Sequence, residues 1–308
     1  ETVQDIMDKN PVTVITIDSK AFTMRVAKLV RKKQTATENK IKLIHMVAPT
    51  VWAWRPGRAR QISKFLDHLF TLFPFEPPYF VKHGLPTTFI GHPLAEQLEG
   101  NDKNYRDAFG MDKDAKIISV LPGSRPGEIK RLLPTFKKTL DLLVRKYPGI
   151  HITIPTVDSV EHLLRAEAEE WEIPVSIITD PNMRLNAFAA SCVALAASGT
   201  VTLELALAKV PSVIAYKVNP LSAVFGYFLV NKNAVVLPNQ LMGEKIFPLY
   251  LQWECTPANL FKAISLKIDS PTDNLAGLSS KIRDKLRASE NSSESIAAQT
   301  ILNIVKAN

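Results

Sequence analysis

One acidic residue, Glu204, stands among apolar residues in the stretch AASGTVTLELALAKVPSVIAYK, residues 196–217. The pattern predicts a strand end, a turn at Ser198, Gly199 and Thr200, a short helix and a second strand. Free N–H groups at the start of that helix favour an anion such as a pyrophosphate. Glu204 lies one turn further on the same face, where its carboxylate could accept hydrogen bonds from a ribose diol. The alternative is a solvent-facing position, the usual place of a lone charge on an amphipathic helix.

A second loop with phosphate-binding chemistry follows the apolar run IISV, in the stretch LPGSRPGEIKRLLP. Gly123 allows a sharp turn, Ser124 supplies a hydroxyl, and Arg125 offers a guanidinium that matches phosphate oxygens. An ordinary strand-to-helix loop with a surface arginine is the alternative, and the full G-x-G-x-x-G pattern of dinucleotide sites is missing. Asn239, in VLPNQLMGEK, could bond a sugar or a phosphate, or form a turn after Pro238.

Such loops need strands before them and helices after them, and the chain alternates between the two patterns. Strand patterns occupy residues 12–17, 41–47, 68–73 and 87–90, then 117–121, 151–154, 175–178, 193–196, 212–216 and 235–237. Helical spacing fills the intervals, and one or two closing helices are predicted over residues 275–306. A polar stretch at residues 96–116 separates the two series. The sequence therefore predicts an α/β fold of two doubly wound domains facing a cleft, with ligands beyond the carboxyl ends of the strands.

Composition narrows the class of protein. The chain has 308 residues, of which 46% are apolar, and a formal net charge of +8. The charge indicates an anionic partner without choosing among phosphate, nucleic acid and membrane surface. The two cysteines, Cys192 and Cys255, indicate a reducing compartment rather than a disulfide framework. No metal-ligand spacing occurs and no cofactor is implied. The apolar run at residues 221–230 is shorter than the ~20 residues that a transmembrane helix needs.

Several stretches together resemble the lipid-A-disaccharide synthase family of GT-B glycosyltransferases. They are APTVWAWRPGR, FPFE, FIGHPLAE, LPGSR, ASGT with the LE and LAKVPSVIAY that follow it, and VLPNQL, in the family's order. The resemblance implies a GT-B fold, with an acceptor-side domain over residues 1–100 and a UDP-sugar-binding domain with closing helices over residues 101–308. The family also has an earlier strand and a glycine-rich loop that nothing here matches, so we expect the first domain to be incomplete at its start.

The resemblance further implies a reaction. The family moves 2,3-diacylglucosamine from its UDP donor to 2,3-diacylglucosamine 1-phosphate by an inverting, metal-independent transfer that forms a β-1,6-linked lipid A precursor. The acceptor hydroxyl needs a base, and Asp18 stands where the family has an aspartate at a strand end. Capping of a helix from residue 21 is the alternative role. The family has a second acid where this chain has Ala21. Residues 123–125 and 198–200, with Glu204 and Asn239, are then the candidates that bind the UDP-sugar.

Acylated substrates imply contact with an anionic membrane surface. The candidates for it are Trp52, Trp54, Arg55, Arg58 and Arg60, although core tryptophans with a solvated basic rim are the alternative. The run FGYFLV, residues 225–230, could line an acyl groove or belong to the core. We expect a cytoplasmic protein, peripheral on the inner face of the inner membrane, with no nucleic-acid partner. The sequence leaves the oligomeric state open, with a homo-oligomer as one alternative.

Two other functions share the predicted UDP site. A GT-B enzyme such as a UDP-N-acetylglucosamine 2-epimerase would need neither an acyl pocket nor an acceptor. A non-catalytic remnant would bind the UDP-sugar without turnover.

Overall fold

The computed structural model describes residues 1–34, 40–54, 57–218, 235–270 and 274–306. They divide into two compact units. The first unit comprises Glu1–Ala95 and Asp284–Asn308, and the second unit comprises Glu96–Arg283. The predicted boundary at residue 100 lies close to the first division, but the second division, within the closing helices, differs from the prediction.

The first unit contains a parallel sheet of four strands in the order β1-β2-β3-β4. Its elements are α1 Thr2–Lys9, β1 Thr13–Ile17, α2 Lys20–Gln34, β2 Lys42–Met46, α3 Val51–Trp54, α4 Gly57–Ile62, β3 His68–Thr71, α5 Pro77–Val81 and β4 Thr87–Phe89. All four strands lie where the alternation of apolar runs predicted them. Strand β1 is an edge strand, and its residues Ile15 and Ile17 are 41% and 62% exposed. That the first domain is incomplete at its start stays a prediction.

The second unit contains a parallel sheet of six strands in the order β10-β9-β8-β5-β6-β7. Its elements are α6 Asp102–Phe109, β5 Ile117–Leu121, α7 Pro126–Lys146, β6 His151–Pro155, α8 Asp158–Ala168, β7 Val175–Ile178, α9 Pro181–Ala190, β8 Val193–Ala197, α10 Val201–Leu207, β9 Ser212–Tyr216, α11 Leu237–Met242, β10 Leu249–Leu251 and α12 Pro257–Asp269. Helix α13, Leu275–Leu286, contains the division after Arg283. Strands β5 and β8 are buried along their whole length. Continuous burial is typical of central strands in a parallel sheet covered on both faces.

One predicted strand is wrong. The apolar pattern predicts the sixth strand at residues 235–237, but the chain enters helix α11 there, and the sixth strand is β10 instead. Pro238 lies in the first turn of α11, where a proline costs no hydrogen bond because the first N–H groups of a helix have no partner within it.

Helix α14, Ser293–Lys306, belongs to the first unit. Its residue Ala297 is buried with Ile44, Phe70 and Ile90 on one face of the four-stranded sheet. The opposite face packs Leu43 and Leu69 against helix α2 and its neighbours. Adjacent residues of β2 and β3 therefore point to opposite, covered faces. The prediction assigned all closing helices to the second domain, whereas α14 supplies one of the layers that cover the first sheet.

Candidate functional site

The two predicted phosphate-binding loops lie at one edge of the second unit's sheet. Strands β5 and β8 are parallel neighbours, with Leu121 opposite Ala196. The loop of residues 122–125 follows β5, and the loop of residues 198–200 follows β8. Both loops therefore leave the carboxyl ends of adjacent strands, where open parallel sheets bind ligands. The structure brings together the two segments that the sequence singled out independently.

The loop after β5 depends on a glycine and on a carboxylate that the sequence analysis missed. Gly123 has φ 124°, a region that glycine alone adopts readily, and a Cβ there would lie 2.6 Å from Glu128 Oε2. Glu128 Oε2 accepts a hydrogen bond of 3.2 Å from the Ser124 N–H, and its Oε1 lies 3.2 Å from Arg125 Nη1. The Arg125 side chain is 80% exposed. The Glu128 carboxylate thus takes the backbone donor that an anionic ligand would use.

The loop after β8 is tied to the segment that begins helix α11. The Ser198 hydroxyl donates a short hydrogen bond to the Val235 carbonyl, so its proton is used within the fold and is not offered to a ligand. Gly199 has open space where a Cβ would lie, and Thr200 is exposed at the start of α10. Helix α10 begins at Val201, directly after the predicted turn. Of the three loop residues, Gly199 and Thr200 are the ones that face free space or solvent.

Glu204 does not lie on the solvent face. Its side chain is only 12% exposed, and its Oε2 lies 3.2 Å from Nη2 of Arg184 on helix α9. Burial raises the pKa of the Glu204 carboxyl, and the charge of Arg184 opposes that shift. The solvent-facing alternative is therefore excluded, and the ribose-binding role stays a prediction.

Asn239 is committed to the fold. It is 4% exposed, its amide nitrogen donates to the Phe247 carbonyl at 2.9 Å, and its Oδ1 accepts from the N–H groups of Ile246 and Phe247 at 3.0 and 2.9 Å. These bonds hold α11 against the chain entering β10. The predicted sugar or phosphate contact is replaced by a structural role, because the side chain's acceptor and one of its donors are used on buried backbone.

We therefore expect Asn239→Ala to lower the stability of the protein rather than its affinity for a nucleotide. The substitution leaves buried backbone donors without an acceptor, which costs about 1 to 3 kcal/mol for each group. Urea unfolding measures the loss, with Asn259→Ala on the exposed first turn of α12 as the control. An unchanged unfolding midpoint, together with weaker UDP binding in calorimetry, would show that Asn239 belongs to the binding site.

In the first unit, Asp18 lies at the carboxyl end of β1 on a strained stretch of backbone. Asp18 and Ser19 both have φ 46°, and Val47, after the neighbouring strand β2, has φ 74°. A positive φ is unfavourable for a β-branched residue such as valine, and strain of this kind clusters at functional sites. Asp18 N–H donates to the Met46 carbonyl at 3.0 Å, and Lys20 Nζ donates to the Thr50 hydroxyl at 2.9 Å.

The alternative role of Asp18 as a helix cap finds no support in the bonds around it. Helix α2 begins at Lys20, so Asp18 lies one residue before the capping position. Its carbonyl accepts a hydrogen bond of 2.7 Å from the Thr23 hydroxyl. Within the described residues, no side-chain hydrogen bond of Asp18 caps α2. The role of Asp18 as the base stays a prediction.

A buried carboxylate, Glu76, connects helix α3 to the loop after β3. Its Oε1 accepts from Trp52 Nε1 at 3.1 Å, and its Oε2 accepts from the N–H groups of Leu72 and Phe73 at 3.2 and 3.1 Å. Burial raises its pKa to about 7, although these hydrogen bonds act in the opposite direction. Trp52 is 8% exposed, so this residue takes the alternative role of a core tryptophan. The side chain of Trp54, Arg55 and the run at residues 225–230 lie outside the described residues.

Two histidines in the same unit have structural roles. Burial lowers the pKa of both His45 and His92 to about 4, so both rings are neutral near pH 7. His45 Nδ1 lies 2.8 Å from the Thr16 hydroxyl, and His92 Nδ1 accepts from the Leu94 N–H at 3.1 Å. Both are packed, hydrogen-bonded histidines rather than groups poised to exchange a proton near pH 7.

The sequence is similar to lipid-A-disaccharide synthases over nearly its whole length. The model of the lipid-A-disaccharide synthetase family matches residues 1–301. The synthase of Rhodospirillum centenum is 42% identical over 274 residues, which cover 88% of this chain and 67% of that protein. The synthase of Rickettsia typhi is 40% identical over 307 residues, which cover 98% of this chain and 79% of that protein. The chain thus spans about two thirds of the first relative's length and more of the second.

The fold is shared more widely than the sequence. The UDP-GlcNAc 2-epimerase of Neisseria meningitidis, solved with UDP-GlcNAc, superposes with a TM-score of 0.59 at 14% identity, covering 98% of this chain and 79% of that one. This similarity confirms the predicted GT-B fold and carries no information about the reaction. The epimerase alternative is not favoured. The synthases of the two relatives are 42% and 40% identical to this chain, whereas the epimerase is 14% identical. The chain belongs to the lipid-A-disaccharide synthase family of GT-B glycosyltransferases.

Proposed function

We propose that this chain transfers 2,3-diacylglucosamine from its UDP donor to 2,3-diacylglucosamine 1-phosphate. The 6-hydroxyl oxygen of the acceptor attacks the anomeric carbon of the donor, the bond from that carbon to the UDP oxygen breaks, and Asp18 takes the hydroxyl proton. The observation that carries the proposal is the family match over residues 1–301. It is supported by the two loops at the carboxyl ends of the neighbouring strands β5 and β8, and by the buried carboxylate of Glu204.

The reaction is tested by supplying both lipid substrates and measuring disaccharide 1-phosphate and UDP by mass spectrometry. The two products are expected in equal amounts, and UDP-N-acetylglucosamine supplied alone is expected to stay unchanged. Conversion of UDP-N-acetylglucosamine to its 2-epimer without an acceptor would assign the chain to the epimerases. Tight UDP binding with no product at all would identify a non-catalytic remnant.

The proposed nucleotide site predicts the behaviour of Glu204→Ala. Loss of the carboxylate removes the acceptor of the ribose hydroxyls, so UDP binding should weaken by about 1 to 3 kcal/mol with no change in circular dichroism. Isothermal titration with UDP measures the affinity. Glu161→Ala removes an acid from an exposed ion pair on α8 and serves as the control. Equal affinities for the parent chain and Glu204→Ala would remove Glu204 from the site.

We also propose that the protein meets its acylated substrates as a peripheral protein on the cytoplasmic face of the inner membrane. Among the residues that the structure describes, the helices all lack the length and hydropathy of a transmembrane span. The chain carries a net charge of +8, and the exposed Arg60 on α4 is one group available to anionic lipid.

Peripheral contact of this kind predicts binding that depends on salt. Sedimentation with phosphatidylglycerol vesicles should carry down the protein at low ionic strength and release most of it at about 0.5 M salt, where screening acts over about 4 Å. Vesicles of neutral lipid are the control. Equal binding to both vesicle types, or none at low salt, would contradict an electrostatic membrane contact.

A further inference from the structure

Arg184 and Glu204 form an ion pair whose hydrogen-bonding capacity is not filled. The Arg184 Nη2 to Glu204 Oε2 distance is 3.2 Å, and the two side chains are 32% and 12% exposed. Glu204 Oε2 and Arg184 Nε are nevertheless buried, and neither forms a hydrogen bond to any residue that the structure describes. A buried donor and a buried acceptor without hydrogen bonds are each costly, and a ligand that bonds to either one would remove part of that cost.

The two residues come from different helices at the same end of the second unit's sheet. Arg184 lies in the first turn of α9, which follows β7, and Glu204 lies in α10, which follows β8. Asp180 caps α9 by accepting from the Met183 N–H at 2.6 Å, so the backbone that carries Arg184 is fixed. The guanidinium therefore reaches Glu204 from an anchored helix start.

The pair also favours the ionised form of the Glu204 carboxyl. Burial raises the pKa of this group, and in the described part of the chain Arg184 is the one charge that lowers it. A carboxylate must be ionised to accept hydrogen bonds with both oxygens, whereas its protonated form offers one acceptor fewer. Removal of the guanidinium would favour the protonated form.

We propose that Arg184 is a positioning residue for the nucleotide, which keeps the Glu204 carboxylate charged and oriented to accept hydrogen bonds from a vicinal diol of the ligand. The inference rests on the proposed function, in which Glu204 accepts hydrogen bonds from the ribose. It adds a residue in α9, outside both predicted loops. The ligand is the one that the proposed function already gives to Glu204, a nucleoside diphosphate with its 2′- and 3′-hydroxyls.

The test uses the single variants Arg184→Met, Arg184→Lys and Glu204→Ala, and the double variant that combines Arg184→Met with Glu204→Ala. Each is titrated with UDP and with 2′,3′-dideoxy-UDP. Arg184→Met should weaken UDP binding about tenfold and leave dideoxy-UDP binding unchanged, because the latter has no diol. Arg184→Lys should restore most of the affinity. Arg184→Met should cost nothing further in the background of Glu204→Ala. Arg165→Met, which breaks an exposed pair on α8, is the matched control.

The affinity for UDP measured over a series of pH values distinguishes the two roles of Arg184. A merely structural role would leave the pH dependence of the affinity unchanged. In Arg184→Met the affinity for UDP should begin to fall at a higher pH than in the parent chain, since the carboxyl is protonated more easily. Equal losses for UDP and dideoxy-UDP, or additive effects with Glu204→Ala, would overturn the proposal. If Glu204→Ala itself leaves UDP binding unchanged, the ribose role fails; if it weakens binding but Arg184→Met does not, only the role of Arg184 fails. Arg184→Gln replaces Arg184→Met if circular dichroism shows that the latter is unfolded.

Discussion

Asp18→Asn is expected to lower the rate of disaccharide formation by about 10²- to 10⁴-fold, the usual contribution of a general base. Asparagine has nearly the same shape but takes up no proton. It also tolerates the left-handed backbone that Asp18 adopts, with φ 46°, so the strained turn should survive the substitution. The loss should therefore appear in the chemical step. Single-turnover kinetics with enzyme in excess over donor measures that step directly.

Two controls separate catalysis from folding in this experiment. UDP affinity should be the same in Asp18→Asn and in the parent chain, because the proposed nucleotide loops belong to the second unit. Asp8→Asn, on the exposed face of helix α1, should leave the rate unchanged. A rate within a few fold of the parent for Asp18→Asn would show that the proton is taken by another group.

Glu76→Ala is expected to destabilise the first unit by roughly 3 kcal/mol or more, since each buried donor left without an acceptor costs about 1 to 3 kcal/mol. The donors are Trp52 Nε1 and the N–H groups of Leu72 and Phe73. Urea unfolding followed by tryptophan fluorescence measures the change. Asp5→Ala breaks an exposed ion pair on α1 and should change stability by less than about 0.5 kcal/mol. Equal stabilities of the two variants would contradict the structural role of Glu76.

The same carboxyl predicts a pH dependence. Burial raises the pKa of Glu76 to about 7 from 4.5 in the unfolded chain, so between these values the folded state binds the proton and the unfolded state does not. This proton binding adds about 3 kcal/mol to the free energy of unfolding. The contribution is complete below pH 4.5 and is lost as the pH rises through about 7.

Histidines in the same unit act in the opposite direction. His45 and His92, with pKa values lowered to about 4, are protonated more readily in the unfolded chain, so they favour folding as the pH rises. The difference in stability between the parent chain and Glu76→Gln isolates the glutamate. That difference should change across pH 4.5 to 7, and a difference independent of pH would mean that Glu76 is ionised throughout.

Much of the fold follows from local pattern alone. Strands of a covered parallel sheet are continuous apolar runs, and nine of the ten described strands lie where such runs occur. The tenth shows where the pattern fails. VVL at residues 235–237 has strong strand propensity, yet Pro238 is compatible with a helix start, and tertiary contacts of Asn239 fix that helix. The strand LYL at residues 249–251 is too short to be distinguished by its own sequence.

The candidate site could be predicted only in part, because its decisive contacts join distant residues. The glycine at 123 and the two loops carry local signals of turn chemistry. The sequence left two roles for Glu204, a ribose acceptor or a solvent-facing charge, and only its distant partner Arg184, on another helix, excludes the second. Glu128 could have been found from its position in the first turn of α7, where acids are favourable. Nothing in the sequence links Glu76 to Trp52, which is 24 residues away.

The assignment of α14 to the first unit has a consequence for synthesis on the ribosome. Residues Ile44, Phe70 and Ile90 form the sheet face that α14 covers, but the chain must first extend through residues 96–283. At translation rates of about 5 to 20 residues per second, this face remains without its helix for about 10 to 40 s. The residues of the second unit are all synthesised in that interval, whereas the apolar face of the first sheet waits for residues 293–306 before it is covered.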